Sequence, residues 1–99
     1  MLNINKTIEN GKAVFALVGR LDTTTAPELE KELKESLPGV SELTLDLKGL
    51  EYISSAGLRV LLAAQKAMKN QGRMTIKNIN ETIMEIFEVT GFTDILTID

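Results

Sequence analysis

Strand-like and helix-like hydrophobic patterns take turns along this chain, and that alternation narrows its architecture to a few possibilities. Leu2, Ile4, Lys6 and Ile8 alternate with polar residues, as in a half-buried edge strand. Glu9-Asn10-Gly11 then reads as a turn; Asn-Gly is a strong short-range hairpin signal, so the first strand pairs with the second. Ala13 to Val18 is continuously apolar, which predicts a strand covered on both faces. Leu43, Leu45 and Leu47 alternate with Thr44 and Asp46 as a third strand. Met74 and Ile76 form a fourth after Gly72, and Ile95 to Ile98 offer a terminal one.

Three helical patterns separate these runs. Thr25-Ala26-Pro27-Glu28 has the form of a capping box with proline in the first turn, and Leu29, Leu33 and Leu37 follow on one face until Pro38-Gly39. A second helix is predicted from about Ala56 to Gln71, with Leu58, Leu61, Leu62 and Met68 as its stripe and Lys66 and Lys69 near its negative end. A third begins at Asn80, buries Ile83, Ile86 and Phe87, and stops at Gly91, with Ile79 and Met84 placed for a hydrophobic staple. The order β-β-α-β-α-β-α predicts a single α/β domain over residues 1–99, with a mixed β-sheet of four to five strands and helices packed on it.

Composition removes several classes of function. The chain has no Cys and no His, which excludes disulfides, thiolate metal sites and the commonest general base. Eleven Lys plus Arg against 14 Asp plus Glu give a formal charge of −3, with no basic footprint for nucleic acid. Met1 to Lys6 lacks the apolar run of a signal peptide, and the longest apolar stretches are too short to insert into a membrane. These features predict a cytoplasmic protein. Met68, Met74 and Met84, and Phe87 and Phe92, are assigned to the core, and Asp46 lacks a second carboxylate at metal-ligand spacing.

Two segments at the C-terminal ends of the predicted inner strands remain as candidate sites, because that edge of an open α/β sheet is where ligands and partners meet it. One is Gly19-Arg20-Leu21-Asp22-Thr23-Thr24-Thr25 and the other is Tyr52-Ile53-Ser54-Ser55-Ala56-Gly57-Leu58. If the strands preceding them are adjacent, Asp22 lies near Ser55. At a helix start, Ser54 or Ser55 serves as an N-cap, and the exposed hydroxyl also suits phosphorylation, because free N–H groups and the helix dipole favour added negative charge. Gly57 is expected to leave room for close approach by another molecule. Without His, a serine nucleophile lacks a positioned base, and the first Gly of G-x-S-x-G is missing, so the chain is not expected to be an enzyme.

Gly19-x-Leu21-Asp22 with Thr25-Ala26 and Leu29, then Asp46-Leu47 and Ile53-Ser54-Ser55-Ala56-Gly57-Leu58, resembles the STAS domains shared by sulphate transporters and bacterial anti-sigma factor antagonists. The resemblance spans essentially the whole chain, including Phe87, Thr90-Gly91-Phe92 and Asp94-Ile95-Leu96. It implies an anti-sigma factor antagonist that binds an anti-sigma factor serine kinase when unphosphorylated, frees a sigma factor, and is switched off by phosphorylation. The acceptor implied is Ser55, with Ser54 as the adjacent alternative, and a PP2C-type phosphatase reverses the modification. Asp22 matches the family's loop aspartate and takes a supporting role in recognition or phosphotransfer. Thr23, Thr24, Ser54, Ala56, Gly57, Leu58 and Arg59 are the remaining partner-binding candidates. ATP and magnesium belong to the kinase, and no cofactor is implied for this chain. Ser54 stands where the family commonly has Asp, which removes a charge beside the acceptor. The alternative reading is an accessory subunit of a membrane transport complex, with Ser55 as an interface residue.

Overall fold

Asn10 and Gly11 both adopt positive φ, 51° and 78°, and close the hairpin between β1 (Leu2–Glu9) and β2 (Lys12–Leu21). Positive φ at both central residues gives the turn a twist that matches the flanking strands. The computed structural model describes residues 1–99. Beyond the hairpin the order is α1 (Ala26–Ser36), β3 (Glu42–Ile53), α2 (Ser55–Lys69), β4 (Arg73–Lys77), α3 (Glu81–Thr90) and a short 3-10 turn (Phe92–Asp94). The strands lie in the order β1-β2-β3-β4, antiparallel across the hairpin and parallel from β2 to β4. The expected mixed sheet is therefore present with four strands. Ile95 to Ile98 does not form a fifth: the 3-10 turn takes up the preceding residues, and only a single bridge joins Ile98 to Ile76.

Burial alternates along β2 and β3. Ala13, Phe15 and Leu17 are buried with Leu43, Leu45 and Leu47, whereas Val14 and Val18 are 41% and 42% exposed. Ala13 to Val18 is thus covered on one face only. Both crossovers move in the same direction across the sheet, and right-handed connections then place their helices on the same side. The opposite side stays open to solvent.

The helix boundaries follow from local chemistry. Asn80 caps α3, its side chain accepting from the Ile83 amide at 2.9 Å, and Gly91 ends it at φ 80°. The Asn80 side-chain amide also donates to the Leu50 carbonyl at 2.7 Å, which fixes α3 against β3. Phe87 stacks on Phe92 with ring centroids 6.3 Å apart. At the far end of α2 the Gln71 side chain donates to the carbonyls of Leu37 and Val40, both at 2.6 Å, and ties the α1–β3 connection to the α2–β4 connection.

Candidate functional site

β2 and β3 run further than their apolar runs indicate. Gly19, Arg20 and Leu21 are still strand residues, as are Tyr52 and Ile53, and the pairs Arg20–Tyr52 and Leu21–Ile53 are in register. The amide of Ser54 donates to the Leu21 carbonyl at 2.9 Å. The two candidate loops therefore leave adjacent strand ends side by side, which brings Asp22–Thr25 next to Ser54–Arg59.

Asp22 organises its loop. Its Oδ1 accepts from the Thr24 amide at 3.0 Å, the Thr24 hydroxyl at 2.7 Å and the Thr25 amide at 3.1 Å. Those donors, the Thr24 hydroxyl foremost, hold the Asp22 carboxyl down at about 2, below its usual value near 3.8. A carboxylate so satisfied is a poor proton acceptor. Its place is to shape the loop and supply a fixed negative charge.

Thr25 departs from the expected capping box. It precedes α1, yet its hydroxyl caps no helix amide. It donates instead to the Arg20 carbonyl and accepts from the Asp22 amide, both at 2.8 Å, and it is 4% exposed. A buried hydroxyl needs partners, and the exit of β2 offers closer ones than the helix does.

Arg20 and Tyr52, which the sequence places in the two candidate segments with no role of their own, meet across the strand ends. The Arg20 guanidinium lies over the Tyr52 ring, 4.4 Å from its centroid, and Arg20 Nε lies 3.8 Å from Asp22 Oδ2. The cross-strand register that brings them together depends on a bulge between Gly19 and Arg20, for which the local sequence carries no clear signal.

The second loop separates its two serines by role. Ser54 is the N-cap of α2: it is extended, with φ −97° and ψ 175°, and its hydroxyl accepts from the Gly57 amide at 3.4 Å. Ser55 is the first helical residue and is exposed, and its hydroxyl takes part in none of the side-chain hydrogen bonds around the cap. No acidic residue occupies the first turn of α2. Thr23, Ala56 and Arg59 face a shallow cavity of about 230 Å³ between the starts of α1 and α2.

Gly57 and Leu58 sit elsewhere than expected. Both are buried, Leu58 at 7% exposure. A Cβ on Gly57 would come 2.7 Å from Leu21 Cγ, 2.9 Å from Ile53 Cγ1 and 3.0 Å from the Leu21 carbonyl oxygen. The missing side chain lets α2 settle on the ends of β2 and β3 and leaves no opening toward solvent. The surface near Ser55 is formed by Asp22, Thr23, Thr24, Ser54, Ala56 and Arg59, with Gly57 and Leu58 beneath it. Asp46 lies mid-strand, where it accepts from the Lys48 amide and the Asn78 side chain, away from this surface.

Comparison with known proteins places this geometry in context. The model of the STAS domain family matches residues 3–99. BtrV of Bordetella bronchiseptica is 35% identical over 91 residues, covering 90% of this chain and 78% of its own length. The anti-sigma-B factor antagonist of Bacillus subtilis is 29% identical over 100 residues, covering 98% of this chain and 92% of its own. Among solved structures, an anti-sigma factor antagonist from Mycobacterium paratuberculosis superimposes with a TM-score of 0.89 at 20% identity, over 99% of this chain and 85% of the other. The Bacillus cell fate determinant SpoIIAA in its phosphorylated form does so with a TM-score of 0.75 at 16% identity, over 100% and 91%.

Proposed function

The chain belongs to the STAS domain family, and from that premise we propose that it is an anti-sigma factor antagonist, regulatory and not catalytic, acting in the cytoplasm. The two relatives described above carry the names putative anti-sigma factor antagonist and anti-sigma-B factor antagonist, and they align with 90% and 98% of this chain. In this reading the surface formed by Asp22, Thr23, Thr24, Ser54, Ala56 and Arg59 docks an anti-sigma factor that is also a serine kinase, and docking frees a sigma factor. Phosphorylation of Ser55 ends the interaction, and a PP2C-type phosphatase restores it.

The observation that carries the reading is the division of labour between the two serines. Ser54 is engaged as the cap, while Ser55 presents an exposed hydroxyl at the first residue of α2. In the transfer, Ser55 Oγ attacks the γ-phosphorus of ATP held by the kinase, the bond to the β-phosphate oxygen breaks, and ADP leaves. The hydroxyl proton passes to a base on the kinase, since this chain has no His and Asp22 is a weak acceptor. The product carries about −1.5 to −2 charges at neutral pH. At a helix N-terminus that charge does not oppose the fold, so the switch works on the docking surface. A loss of about 3 kcal/mol in binding lowers affinity more than a hundredfold.

The test is intact-mass and site mapping of the protein isolated from its host, beside Ser55→Ala and Ser54→Ala. A gain of about 80 Da on Ser55, the mass of one phosphoryl group, retained in Ser54→Ala and lost in Ser55→Ala, is the expected result. An unmodified chain under every growth condition, with partner binding indifferent to Ser55→Asp, would falsify the switch.

A further inference from the structure

Arg59 stands one helical turn after Ser55, at the i,i+4 spacing that places two side chains on one face of a helix. Helical side chains lean back toward the N-terminus, so the turn that Ser55 begins is within reach of the Arg59 side chain, which lines the neighbouring cavity with Thr23 and Ala56. An acid at i with a base at i+4 is also the favourable order with respect to the helix dipole. Ser55 and Arg59 are both exposed, so neither must be dug out of the core to meet.

The surrounding charges leave this cation uncommitted. The protein has ion pairs at Lys6–Glu32, Lys12–Glu42, Arg20–Asp22, Lys34–Glu30 and Lys77–Asp99, and Arg59 belongs to none of them. Glu30 borders the same cavity but pairs with Lys34 at 4.0 Å. The Asp22 carboxylate is occupied by Thr24, Thr25 and Arg20. With no acid in its first turn, α2 thus begins with unpaired amides and an unpaired guanidinium on the side that carries an exposed serine hydroxyl.

We propose that Arg59 is the internal counter-charge for phosphorylated Ser55: it folds back over the first turn of α2 and pairs with the phosphate. This deepens, and rests on, the reading of Ser55 as the acceptor. Its consequence is that phosphorylation does more than add bulk and charge. It also withdraws from the docking surface the one cation there that no carboxylate of this chain holds. Arg20, on the other side of the loop, stays engaged with Tyr52 and Asp22 and takes no part.

The experiment uses the full chain with phosphoserine installed at position 55 by genetic encoding, so that no kinase is needed. The second phosphate ionisation, ordinarily near pH 6, is followed by phosphorus NMR in the parent, Arg59→Gln, Arg59→Lys and Arg20→Gln. The expected result is a midpoint about 0.5–1 unit higher in Arg59→Gln than in the parent, since removal of an opposite charge disfavours the dianion. Arg59→Lys restores part of the difference and Arg20→Gln leaves the midpoint in place. Equal midpoints in the parent and Arg59→Gln, or a shift in Arg20→Gln alone, would overturn the pairing. Circular dichroism of each variant verifies that the fold is retained. Because the phosphate is installed directly, failure of the kinase reading shows in the host-mass experiment and failure of the pairing shows here.

Discussion

Gly57→Ala separates two effects of opposite sign. In an exposed helix, replacing Gly by Ala stabilises by about 0.8–1.0 kcal/mol, because glycine surrenders more backbone entropy. Gly57 is the third residue of α2 and its φ does not require glycine. On propensity alone the substitution should therefore help. The structure predicts the reverse. The new Cβ meets Leu21 Cγ at 2.7 Å, Ile53 Cγ1 at 2.9 Å and the Leu21 carbonyl oxygen at 3.0 Å. Leu21 and Ile53 are 0% and 2% exposed and have nowhere to retreat, and the Leu21 carbonyl also accepts the Ser54 amide. Relief must come from α2 lifting off the strand ends. Overpacking of this kind costs about 1–3 kcal/mol, so the net change is a loss of about 1 kcal/mol. For a chain of this length that lowers Tm by about 4–8 °C. Thermal and urea unfolding followed by circular dichroism give the number. An unchanged or raised Tm would refute the close contact beneath Ser55, and with it the view that glycine sets the height of the α2 start above the sheet.

Further outcomes follow from neighbouring contacts. Ser54→Ala removes the cap and costs about 0.5–1 kcal/mol in urea unfolding, the low end of capping effects, because its bond to the Gly57 amide is long at 3.4 Å; no loss would show that the hydroxyl is not the cap. Gly72→Ala puts a Cβ 1.7 Å from the Ser41 carbonyl oxygen and costs about 3 kcal/mol or more. Gly39→Ala meets nothing within 4 Å but is forced to φ 84° and costs about 1–2 kcal/mol; equal losses at the two sites would contradict this difference in mechanism. The folded-state carboxyl of Asp22 titrates near 2, against 3.8 ordinarily. A depressed folded value means that its stabilisation is complete above about pH 4 and fades as pH falls toward 2. The Tm difference between the parent and Asp22→Asn should accordingly shrink over that window and stay level above it; a difference constant from pH 7 to 2 would remove Asp22 as the source.

The sequence disclosed the topology because each element carries its own period. The Asn10-Gly11 turn, the Leu43-Leu45-Leu47 alternation and the Leu29-Leu33-Leu37 stripe each imply one local structure, and the order of elements then admits few arrangements. Burial was harder to read. An apolar run such as Ala13 to Val18 records what a strand can tolerate, whereas the handedness of two later crossovers decides which face the helices cover. Thr25 shows the same limit at a single residue: the spacing to Glu28 suits a capping box, yet the hydroxyl finds the Arg20 carbonyl, a partner defined only once β2 is extended to Leu21. Ser55 could be singled out as a candidate from its place at a helix start. That Ser54 is the cap and Ser55 the first helical residue depends on where the first turn begins, and helix ends are poorly defined by pattern alone. The contact of Arg20 with Tyr52 needed a cross-strand register.

The strand order β1-β2-β3-β4 repeats the order of the chain. Every hydrogen-bonded strand pair therefore joins consecutive strands, and no later segment must be threaded between two already paired. Assembly can proceed outward from the hairpin, each new helix arriving with the strand that receives it. Only the hairpin closes a short loop; each parallel pairing closes about 30 residues, as Lys12 with Glu42 and Glu42 with Arg73, so the hairpin is the fast step and the two crossovers are the slow ones. A chain emerging from the ribosome can add one strand at a time, with β3 becoming an interior strand only when β4 arrives and with α2 the link between them. The candidate docking surface spans the β2–α1 and β3–α2 junctions, so it exists only once β2 and β3 have paired.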